Sequence, residues 1–585
     1  MSRSEEINSL VRGLGEGQLS RRDFMRRAAV LGVSSTMIGA VLAACGASAT
    51  PTSAPAAPTT AAAGGTGAST APSAAPSAAG NPALTATTAA PRATAGTTSS
   101  PIAAGTPGVD TRTGIDLSTW NPETIRAQAG TVKFDTKADL AKIVPPDTKG
   151  SLSVWYSGPD QNTPKIAIDF DQQFWAAWKQ YYPNIPLNVG DQVQNIAYND
   201  LLDKLRTSAA GNAAPDAVRL QILGGVEFAA KGYLAEINLA DYNLKAEQFW
   251  PGALKSCMWN GKLYGIPSNN ETMAFAYNKK VFEKAGLDPS APPATWDDVV
   301  KYSKAIKDKT GKAGFGMVAK TNAGNTPFRF MPILWAYGSG ALDEAEPNPT
   351  YQKVLVNNEG GIAALQAYYD MYVRDKSVPT SALTNTQTEN GDLFISEQIA
   401  MVIVHPSEFA TMNDKLAKAT GADKALAQEV VDNMAYGLMP KGPVRRAVVF
   451  GGSNMHIFGD KYTGHTVDKN AAKAFLNFAV SPEWATKEWS WVGSNPPTQD
   501  GFKSEWQKQR LDTVKFLDVT TSMLPYGIPF PVIPESTTIM NSIIPDMLQN
   551  ALTQKMTVKQ AADDAADKIT KLIAGRKARS WVVNF

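Results

Sequence analysis

Carboxylate and amide side chains that follow short apolar runs are the best candidates for chemistry in this sequence. Asp160, Asp191 and Gln221 each come soon after a run that is typical of a β-strand. Such groups can bond the hydroxyl groups of a polar ligand, and two carboxylates across a cleft can also hydrolyse a glycosidic bond. Asp is equally common as a turn or helix-cap residue, so a purely structural role stays open.

The sequence lacks the motifs of zinc sites, serine hydrolases and nucleotide-binding loops. The histidines are His405, His456 and His465, and none stands in an H-E-x-x-H or H-x-x-E-H motif. Gly452-Ser453-Asn454 is not followed by the glycine of a nucleophile elbow, and residues 311–316 have neither dinucleotide-fingerprint nor P-loop spacing. We therefore expect no catalytic residue, no metal and no cofactor.

The charge balance bears on possible partners. The chain has 56 Lys and Arg residues against 54 Asp and Glu residues, a net charge of +2. No basic excess is left to bind a phosphate backbone, so nucleic acid is not an expected partner. Of the two cysteines, Cys257 is expected to be a buried small hydrophobic residue, because Cys45 has a different predicted fate.

The first 45 residues look like an export signal. Arg21 and Arg22 precede an apolar run of small residues, 28–44, which ends at Cys45. The pattern resembles a twin-arginine lipoprotein signal, which implies cleavage before Cys45 and acylation of that residue. An uncleaved transmembrane anchor is the alternative, but the run is shorter and less apolar than the ~20 residues needed to span a bilayer. We predict a bacterial lipoprotein on the outer face of the membrane.

A tether follows the predicted signal. Residues 46–114 consist almost entirely of Ala, Pro, Thr, Ser and Gly, a composition that buries too little apolar surface to fold. We predict a disordered linker there and a transition segment over 115–150. Trp120 and Phe134 are the residues of that segment that could dock on a folded domain.

Alternating strand and helix patterns begin at residue 151. Phe170, Phe174, Trp178 and Tyr181 lie at helical spacing and predict a core-facing stripe. Strand, helix, strand, helix, strand predicts right-handed crossovers and a parallel sheet, with ligands beyond the carboxyl ends of the strands. The strands are predicted at 152–156, 185–189 and 217–220, with the second helix at 196–210. This arrangement predicts that residues 157–160, 190–192 and 221–224 share one rim.

Helix-capping patterns occupy the middle and the end of the chain. Asn278 can cap a short helix that ends at Gly286 in a left-handed turn. Thr295 with Asp298, and Thr557 with Gln560, form capping-box patterns.

The order of these and other motifs resembles the family 1 extracellular solute-binding proteins of ABC importers, which include maltose- and multiple-sugar-binding proteins. No single motif is decisive, but the order is specific and spans nearly everything from residue 151. The motifs stand at 215–218, 232–236, 261–271, 275–282, 285–289, 293–298, 393–401, 451–454, 474–478 and 481–483.

The resemblance implies an α/β fold of the periplasmic-binding-protein type, with two lobes, a hinge and an interlobe cleft. We expect one hinge crossing near 268–271 and another near 445–450. The solute-binding domain would span 151–585. Lobe one is predicted at about 151–268 and 448–510, and lobe two at about 272–445 and 511–585.

The resemblance also suggests the cleft residues. Asn270 and Glu271 stand with Asn269 at a hinge crossing, and Phe328 stands where the family often lines its cleft. Ser407 replaces an aromatic ring that relatives often carry. For the two tryptophans and the histidine among the remaining candidates, a role in the core is the alternative. The remaining cleft candidates are Trp335, Tyr337, His405, Gly452, Ser453, Asn454 and Trp491.

The implied function is capture of a solute by hinge closure and its delivery to a membrane permease. Sugar is the first expectation, since phosphate would need converging basic residues and only Arg219 and Arg329 stand nearby. Glycerol phosphates, polyamines and peptides are other solutes of the family. Two further functions stay open: an exported glycan hydrolase using Asp191 and Glu271, and a surface adhesin.

Overall fold

A computed structural model of the chain describes residues 117, 120–158, 165–196, 198–321, 325–488 and 494–574. Several sequence predictions concern residues outside these ranges: the export signal with Arg21, Arg22 and Cys45, the linker 46–114, and the candidate residues Asp160 and Trp491.

The strands are short and are numbered in chain order. They are β1 (Val154–Tyr156), β2 (Val193–Asn195), β3 (Ala217–Gln221), β4 (Met258–Trp259), β5 (Lys262–Leu263), β6 (Ile266–Glu271), β7 (Ala274–Asn278), β8 (Ala313–Phe315), β9 (Ile399–Val404), β10 (Met434–Gly437), β11 (Val448–Val449), β12 (Gly451–Ile457) and β13 (Gly527–Ile528).

Two main sheets organise the molecule. The first has the strand order β2-β1-β3-β12-β6, and the second has the order β10-β7-β9-β8. Smaller ladders pair β11 with β13 and β4 with β5. Each main sheet is the centre of one lobe, so the two predicted α/β lobes are present.

The α-helices cover both sheets. In lobe one and the N-terminal segment they are α1 (Pro122–Gln128), α2 (Thr136–Ala141), α3 (Lys165–Tyr181), α4 (Tyr198–Ala210), α5 (Gly225–Ala230) and α6 (Pro251–Ser256). The following helices are α7 (Lys279–Ala285), α8 (Trp296–Thr310), α9 (Asn325–Ala336), α10 (Glu359–Tyr369), α11 (Gln387–Ile395), α12 (Pro406–Lys418) and α13 (Gly421–Asp432). The rest are α14 (Asp460–Thr463), α15 (Lys469–Val480), α16 (Pro482–Glu488), α17 (Glu505–Thr513), α18 (Leu517–Ser522), α19 (Ser536–Thr538), α20 (Ile544–Leu552) and α21 (Val558–Ile573).

Several short helices of other types join these elements. The 3₁₀ helices are Leu239–Tyr242, Ala246–Gln248, Thr380–Leu383, Gln499–Lys503 and Leu524–Tyr526, and the π-helices are Asp370–Arg374 and Ile539–Ile543. None of the helices in the described part of the chain is both long and apolar enough to cross a bilayer.

Strand periodicity explains why each sheet is covered on both faces. Successive strand residues point to opposite faces, so Phe275 and Tyr277 of β7 enter one buried cluster, while Ala274 and Ala276 enter another. In lobe one, Val154 belongs to the cluster that also contains Phe170, Phe174 and Trp178 from α3. The predicted aromatic stripe is therefore a packing face.

The predicted parallel order of the first strands is confirmed, but the position of the second strand is wrong. β1 pairs in parallel with both β2 and β3. The strand predicted at 185–189 lies instead at Val193–Asn195. Ile185 and Leu187 are buried as the alternation suggested, yet Val189 is 53% exposed and a turn follows before the pairing residues.

The predicted caps are confirmed. The Asn278 side chain accepts hydrogen bonds from the amides of Lys280 and Val281, and α7 ends at Gly286 with φ of 73°. Thr295 caps α8 through a capping box with Asp298, and Thr557 caps α21 through one with Gln560. Each box satisfies backbone donors that the first turn of a helix leaves unpaired.

In the described part of the chain, three segments connect the lobes. The first crossing, residues 271–274, joins β6 to β7, and the second crossing, residues 447–451, joins β11 to β12. The third crossing, residues 494–526, returns from lobe one: Asn495 exchanges backbone hydrogen bonds with Asn270, and Phe516 packs in a lobe two cluster. The candidate site lies where these segments meet.

Candidate functional site

The end of β6 carries one side chain that a solute can reach. The Glu271 carboxylate accepts hydrogen bonds from Asn269 Nδ2 at 3.0 Å and from Ser494 Oγ at 3.3 Å, and the Glu271 side chain is 26% exposed. Asn270 points the other way, as neighbours on a strand do. Its side chain is fully buried and donates to the carbonyl of Pro496, so Asn270 joins the first and third crossings.

Strand β12 approaches β6 closely because it begins with two glycines. A Cβ on Gly452, which has φ of +135°, would lie 2.2 Å from the carbonyl oxygen of Asn269. A Cβ on Gly451 would lie 3.3 Å from both Phe328 Cε1 and Glu271 Cβ. The missing side chains therefore leave the Glu271 carboxylate and the Phe328 ring beside one another.

Ser453 and Asn454 belong to the sheet of lobe one. The Ser453 amide donates to Asn269 Oδ1 at 2.7 Å, and the hydroxyl accepts from Arg219 Nη2 at 3.2 Å. Asn454 is buried and donates to Ser256 Oγ at 3.0 Å. Asn454 therefore holds the interior of lobe one and lies away from Glu271.

Lobe two contributes the beginning of α9. Phe328 is half-buried, and its ring meets Phe530 edge to face with centroids 5.0 Å apart. Arg329 is buried and forms an ion pair with Glu408, which stands near the start of α12. A buried arginine with a carboxylate partner is neutralised locally, so Arg329 does not present a free positive charge.

His405 faces Glu271 from the end of β9. Its Nε2 lies 3.8 Å from Glu271 Oε2, and its backbone amide donates to Glu408 Oε2 at 3.3 Å. Burial lowers the pKa of His405, and the charges of Glu271 and Glu408 oppose that effect. The imidazole is therefore neutral at pH 7 and can donate or accept a hydrogen bond.

Together these residues form a group that we call the hinge cluster. It has two carboxylates, one guanidinium and one neutral imidazole, beside an aromatic ring and glycine backbone. Its members come from both lobes and from the crossings: Asn269, Glu271, Phe328, Arg329, His405, Glu408, Gly451 and Ser494. The described residues hold no group of three or more histidine, cysteine or acidic side chains placed to bind a metal ion.

The structure separates two aromatic candidates from this cluster. Trp335 has no exposed surface, and its Nε1 donates to the buried Glu344 carboxylate at 2.8 Å. Burial raises the pKa of Glu344 to about 7. Tyr337 lies two residues after Trp335, and its hydroxyl donates to Asp297 Oδ1 at 3.0 Å. Both side chains form hydrogen bonds within lobe two and are not part of the hinge cluster.

The expectation that Asp191 shares a rim with Gln221 is wrong. Because β2 begins at Val193, Asp191 precedes the strand and lies at its amino end, where its carboxylate accepts from Gln192 Nε2. Gln221 ends β3 and stands opposite Ser453 in the register of β3 with β12, so it does lie at the edge facing the crossings. The misplaced strand explains the error.

Sequence reasoning missed two members of the hinge cluster. Glu408 follows Ser407 directly, but the resemblance suggests only His405 and Ser407 in that segment, and the side chain of Ser407 is outside the described residues. Ser494 lies on the third crossing, 223 positions after the carboxylate it contacts, and no local pattern indicates such a contact.

Comparisons with known proteins agree with this architecture. A sequence profile described as "Bacterial extracellular solute-binding protein" matches residues 166–486. The arabinooligosaccharide-binding protein of Bacillus subtilis is 26% identical over 411 residues, which cover 67% of this chain and 87% of that protein. The sn-glycerol-3-phosphate-binding periplasmic protein UgpB of Salmonella typhimurium is 25% identical over 335 residues, 54% of this chain and 68% of that protein.

Solved structures share the fold. The GacH receptor of Streptomyces glaucescens superimposes with a TM-score of 0.59 at 21% identity, covering 74% of this chain and all of the receptor. The maltose-bound MalE3 of T. maritima gives a TM-score of 0.58 at 21% identity, over 72% of this chain. The expected two-lobed binding-protein fold is confirmed.

Proposed function

The chain belongs to the bacterial extracellular solute-binding proteins, and on that premise we propose that it captures a sugar or an oligosaccharide between its two lobes. The hinge cluster is the observation that carries this proposal, because Glu271 at the end of β6 faces Phe328 and His405 of lobe two. A solute that bonds to both lobes favours the closed form by the difference in its affinity for the two states.

The chemistry of the cluster suits a polyhydroxylated ligand. Carboxylates and a neutral imidazole can accept and donate hydrogen bonds to hydroxyl groups, while the C–H face of a sugar can pack on the exposed part of the Phe328 ring. In the proposed site Glu271 and His405 bond the solute, Phe328 packs on it, and Gly452, Ser453 and Gln221 border it. Asn270 and Asn454 support the site from within.

A phosphate-bearing solute fits less well. Tight phosphate binding uses several converging basic groups, and two basic residues described in or beside the cluster, Arg329 and Arg219, are already engaged. Arg329 pairs with Glu408, and Arg219 bonds the Ser453 hydroxyl. The two carboxylates also leave the cluster with an excess of negative charge. The relatives named for arabino-oligosaccharides therefore support the proposal better than those named for glycerol 3-phosphate.

The alternative function, a glycan hydrolase, would need the carboxylates of Asp191 and Glu271 to face each other across one cleft. These residues belong to opposite edges of the first sheet, in the order β2-β1-β3-β12-β6. Four strand spacings of about 4.8 Å separate the edges by roughly 19 Å, whereas the two carboxylates of a glycosidase lie about 5–9.5 Å apart. We therefore propose a binding protein without catalytic activity, which is the character of its family.

We further propose that the chain is held at the membrane and hands its solute to the permease of an ABC importer. The Arg21-Arg22 pair and the small residues before Cys45 support export and acylation. Labelled palmitate should enter the wild-type chain expressed in a bacterium and should not enter Cys45→Ser. Labelling of the variant, or none of the wild type, would refute the anchor.

A thermal-shift screen of the full chain tests the solute. A ligand present at 100 times its dissociation constant stabilises the folded state by about 2.7 kcal/mol. Arabino- and malto-oligosaccharides should raise the melting temperature, and Glu271→Gln should reduce that increase. Asp191→Asn is the matched control and should leave the increase intact. A screen in which no sugar raises the melting temperature would refute a sugar-binding function and favour the adhesin.

A further inference from the structure

An N-terminal strap, residues 120–144, packs across the crossings between the lobes. It precedes residue 166, where the match to the family begins, and its two helices α1 and α2 lie outside both main sheets. The contacts of the strap show which segments it holds.

Trp120, the first residue of the strap, packs against lobe one and the third crossing. Its ring meets Trp250 at 5.2 Å and Phe502 at 5.9 Å, both edge to face, and its Nε1 donates to the carbonyl of Thr521 at 3.1 Å. The cluster on which it packs includes Phe450, the residue between β11 and β12. One side chain thus contacts the third crossing directly and packs against the cluster that anchors the second.

Helix α1 packs against the third crossing near the start of α18. Ile125 is buried in a cluster with Leu511 and Leu517. Arg126 Nε lies 2.6 Å from Asp518 Oδ2, and Arg126 Nη1 donates to the carbonyl of Leu511 at 3.1 Å. Because α18 begins at Leu517, these contacts fix its first turn.

The remainder of the strap is bound to the lobe one end of the third crossing and to lobe one itself. The amide of Val132 donates to the carbonyl of Lys503, and the Phe134 ring stacks on Trp506 with centroids 6.3 Å apart. Leu140 and Val144 are buried in the core cluster of lobe one. The strap is therefore anchored in lobe one and reaches from there to α18.

The other contacts of α18 lead into the first crossing and into lobe two. Thr272, in the first crossing, donates through its hydroxyl to the carbonyl of Thr520. Phe516, directly before α18, has φ of +51° and packs on Tyr436 and Phe409 of lobe two. A non-glycine residue in this backbone region is strained, so tertiary contacts must hold it there.

We propose that the strap is a clamp on the hinge: by holding α18 against lobe one, it sets how freely the three crossings move and so how the lobes open. The solute affinity then depends on residues outside the cleft, because a crossing that is already ordered loses less freedom when the lobes close. The proposal rests on the two-lobed fold and needs no particular solute.

Hydrogen exchange measured by mass spectrometry on the full chain, without solute, tests the clamp. Trp120→Ala should speed exchange at least about tenfold in peptides covering 266–278, which include the first crossing and which Trp120 does not touch. Exchange in β8, which lies at the edge of the lobe two sheet, two strands from β7, should not change. Arg126→Ala is a milder second variant and should give the same pattern with a smaller increase.

Phe134→Ala is the matched control, because it removes an aromatic contact of the strap with α17, at the lobe one end of the third crossing, and none with α18. It should leave exchange over 266–278 close to that of the wild type. Faster exchange confined to the strap and the third crossing in Trp120→Ala and Arg126→Ala would reduce the strap to local packing and refute the clamp. Equal acceleration in β8 would show general loosening and refute it as well.

Discussion

At the scale of single residues, recognition in our proposal depends on the direction in which each side chain of β6 points. Asn269 and Glu271 face the hinge cluster, while Asn270 between them is buried in the joint with the third crossing. Three consecutive polar residues therefore have two different roles. Substitutions at neighbouring positions should consequently separate solute binding from stability.

Glu271→Gln should weaken solute binding while leaving the fold intact. The change keeps the shape of the side chain and removes the charge that strengthens its hydrogen bonds, an effect worth about 1 kcal/mol per bond, or roughly fivefold in Kd. Calorimetric titration with the tightest-binding sugar of the screen measures the Kd. A Kd within twofold of the wild type would remove Glu271 from the site.

His456 should make the stability of lobe one sensitive to acid. The residue is buried between Gly225 and Gly265, and burial lowers its pKa from 6.5 to about 4. Between these values the unfolded chain binds a proton that the folded chain does not, so stability falls as the pH falls, by roughly 3 kcal/mol in all.

Urea unfolding at pH 7 and pH 5 checks this prediction. His456→Asn should be less stable at pH 7 and should lose less stability on going to pH 5 than the wild type does. The same loss in both proteins would show that other groups cause the pH dependence.

The sequence predicted some residues of the hinge cluster but not the contacts between them. Glu271 and His405 could be singled out because the family resemblance places them at a hinge crossing and in a segment beside the cleft, where polar residues need partners or ligands. The contact of Glu271 with Ser494, and the pairing of Arg329 with Glu408, join segments that only the tertiary structure brings together. Spacing along the chain carries no information about such contacts.

At the scale of elements, the junction of β6 and β12 sets the geometry of the site. The register of this pair shifts between Ser453 and Asn454, and Gly452 brings the backbone of β12 against Asn269. A shift of this kind bends a strand locally and redirects its side chains. The glycine is required both by its φ and by the lack of space.

Gly452→Ala should destabilise the protein by at least about 2 kcal/mol and abolish solute binding, because the new Cβ would meet the carbonyl of Asn269. Gly232→Ala is the matched control: Gly232 also has positive φ, at +72°, but nothing lies within 4 Å of its Cβ position. That variant should lose about 1 kcal/mol and bind normally. Unfolding curves and titrations measure both effects, and equal losses in the two variants would contradict the steric account.

Elements with local signals were the easiest to predict. The capping boxes of α8 and α21 each depend on two residues three positions apart, and the Asn278 cap of α7 bonds amides two and three positions further on, so the sequence contains the whole cause. Strand β2 was misplaced because Ile185 and Leu187 alternate and are buried without pairing, whereas Val193–Asn195 pairs with β1 and is largely polar. Burial and strand pairing usually coincide, and here they do not.

At the scale of the whole molecule, solute choice follows from the charge of the hinge cluster. With Arg329 paired to Glu408, the cluster has no free cation for a phosphate. Glycerol 3-phosphate should therefore leave the melting temperature unchanged at concentrations where the best oligosaccharide raises it. Stabilisation by glycerol 3-phosphate, and none by sugars, would reverse our choice of solute.

The most direct test of the central claim is the distance between the lobes with and without solute. Spin labels at Lys245→Cys in lobe one and Lys424→Cys in lobe two use exposed positions, and a Cys45→Ser background leaves only the buried Cys257 as a native thiol. On addition of an oligosaccharide that stabilises the protein, the distance distribution measured by pulsed electron paramagnetic resonance should shift to a single narrower population, with the sugar recovered intact. An unchanged distribution at saturation, or a cleaved sugar, would contradict capture by hinge closure.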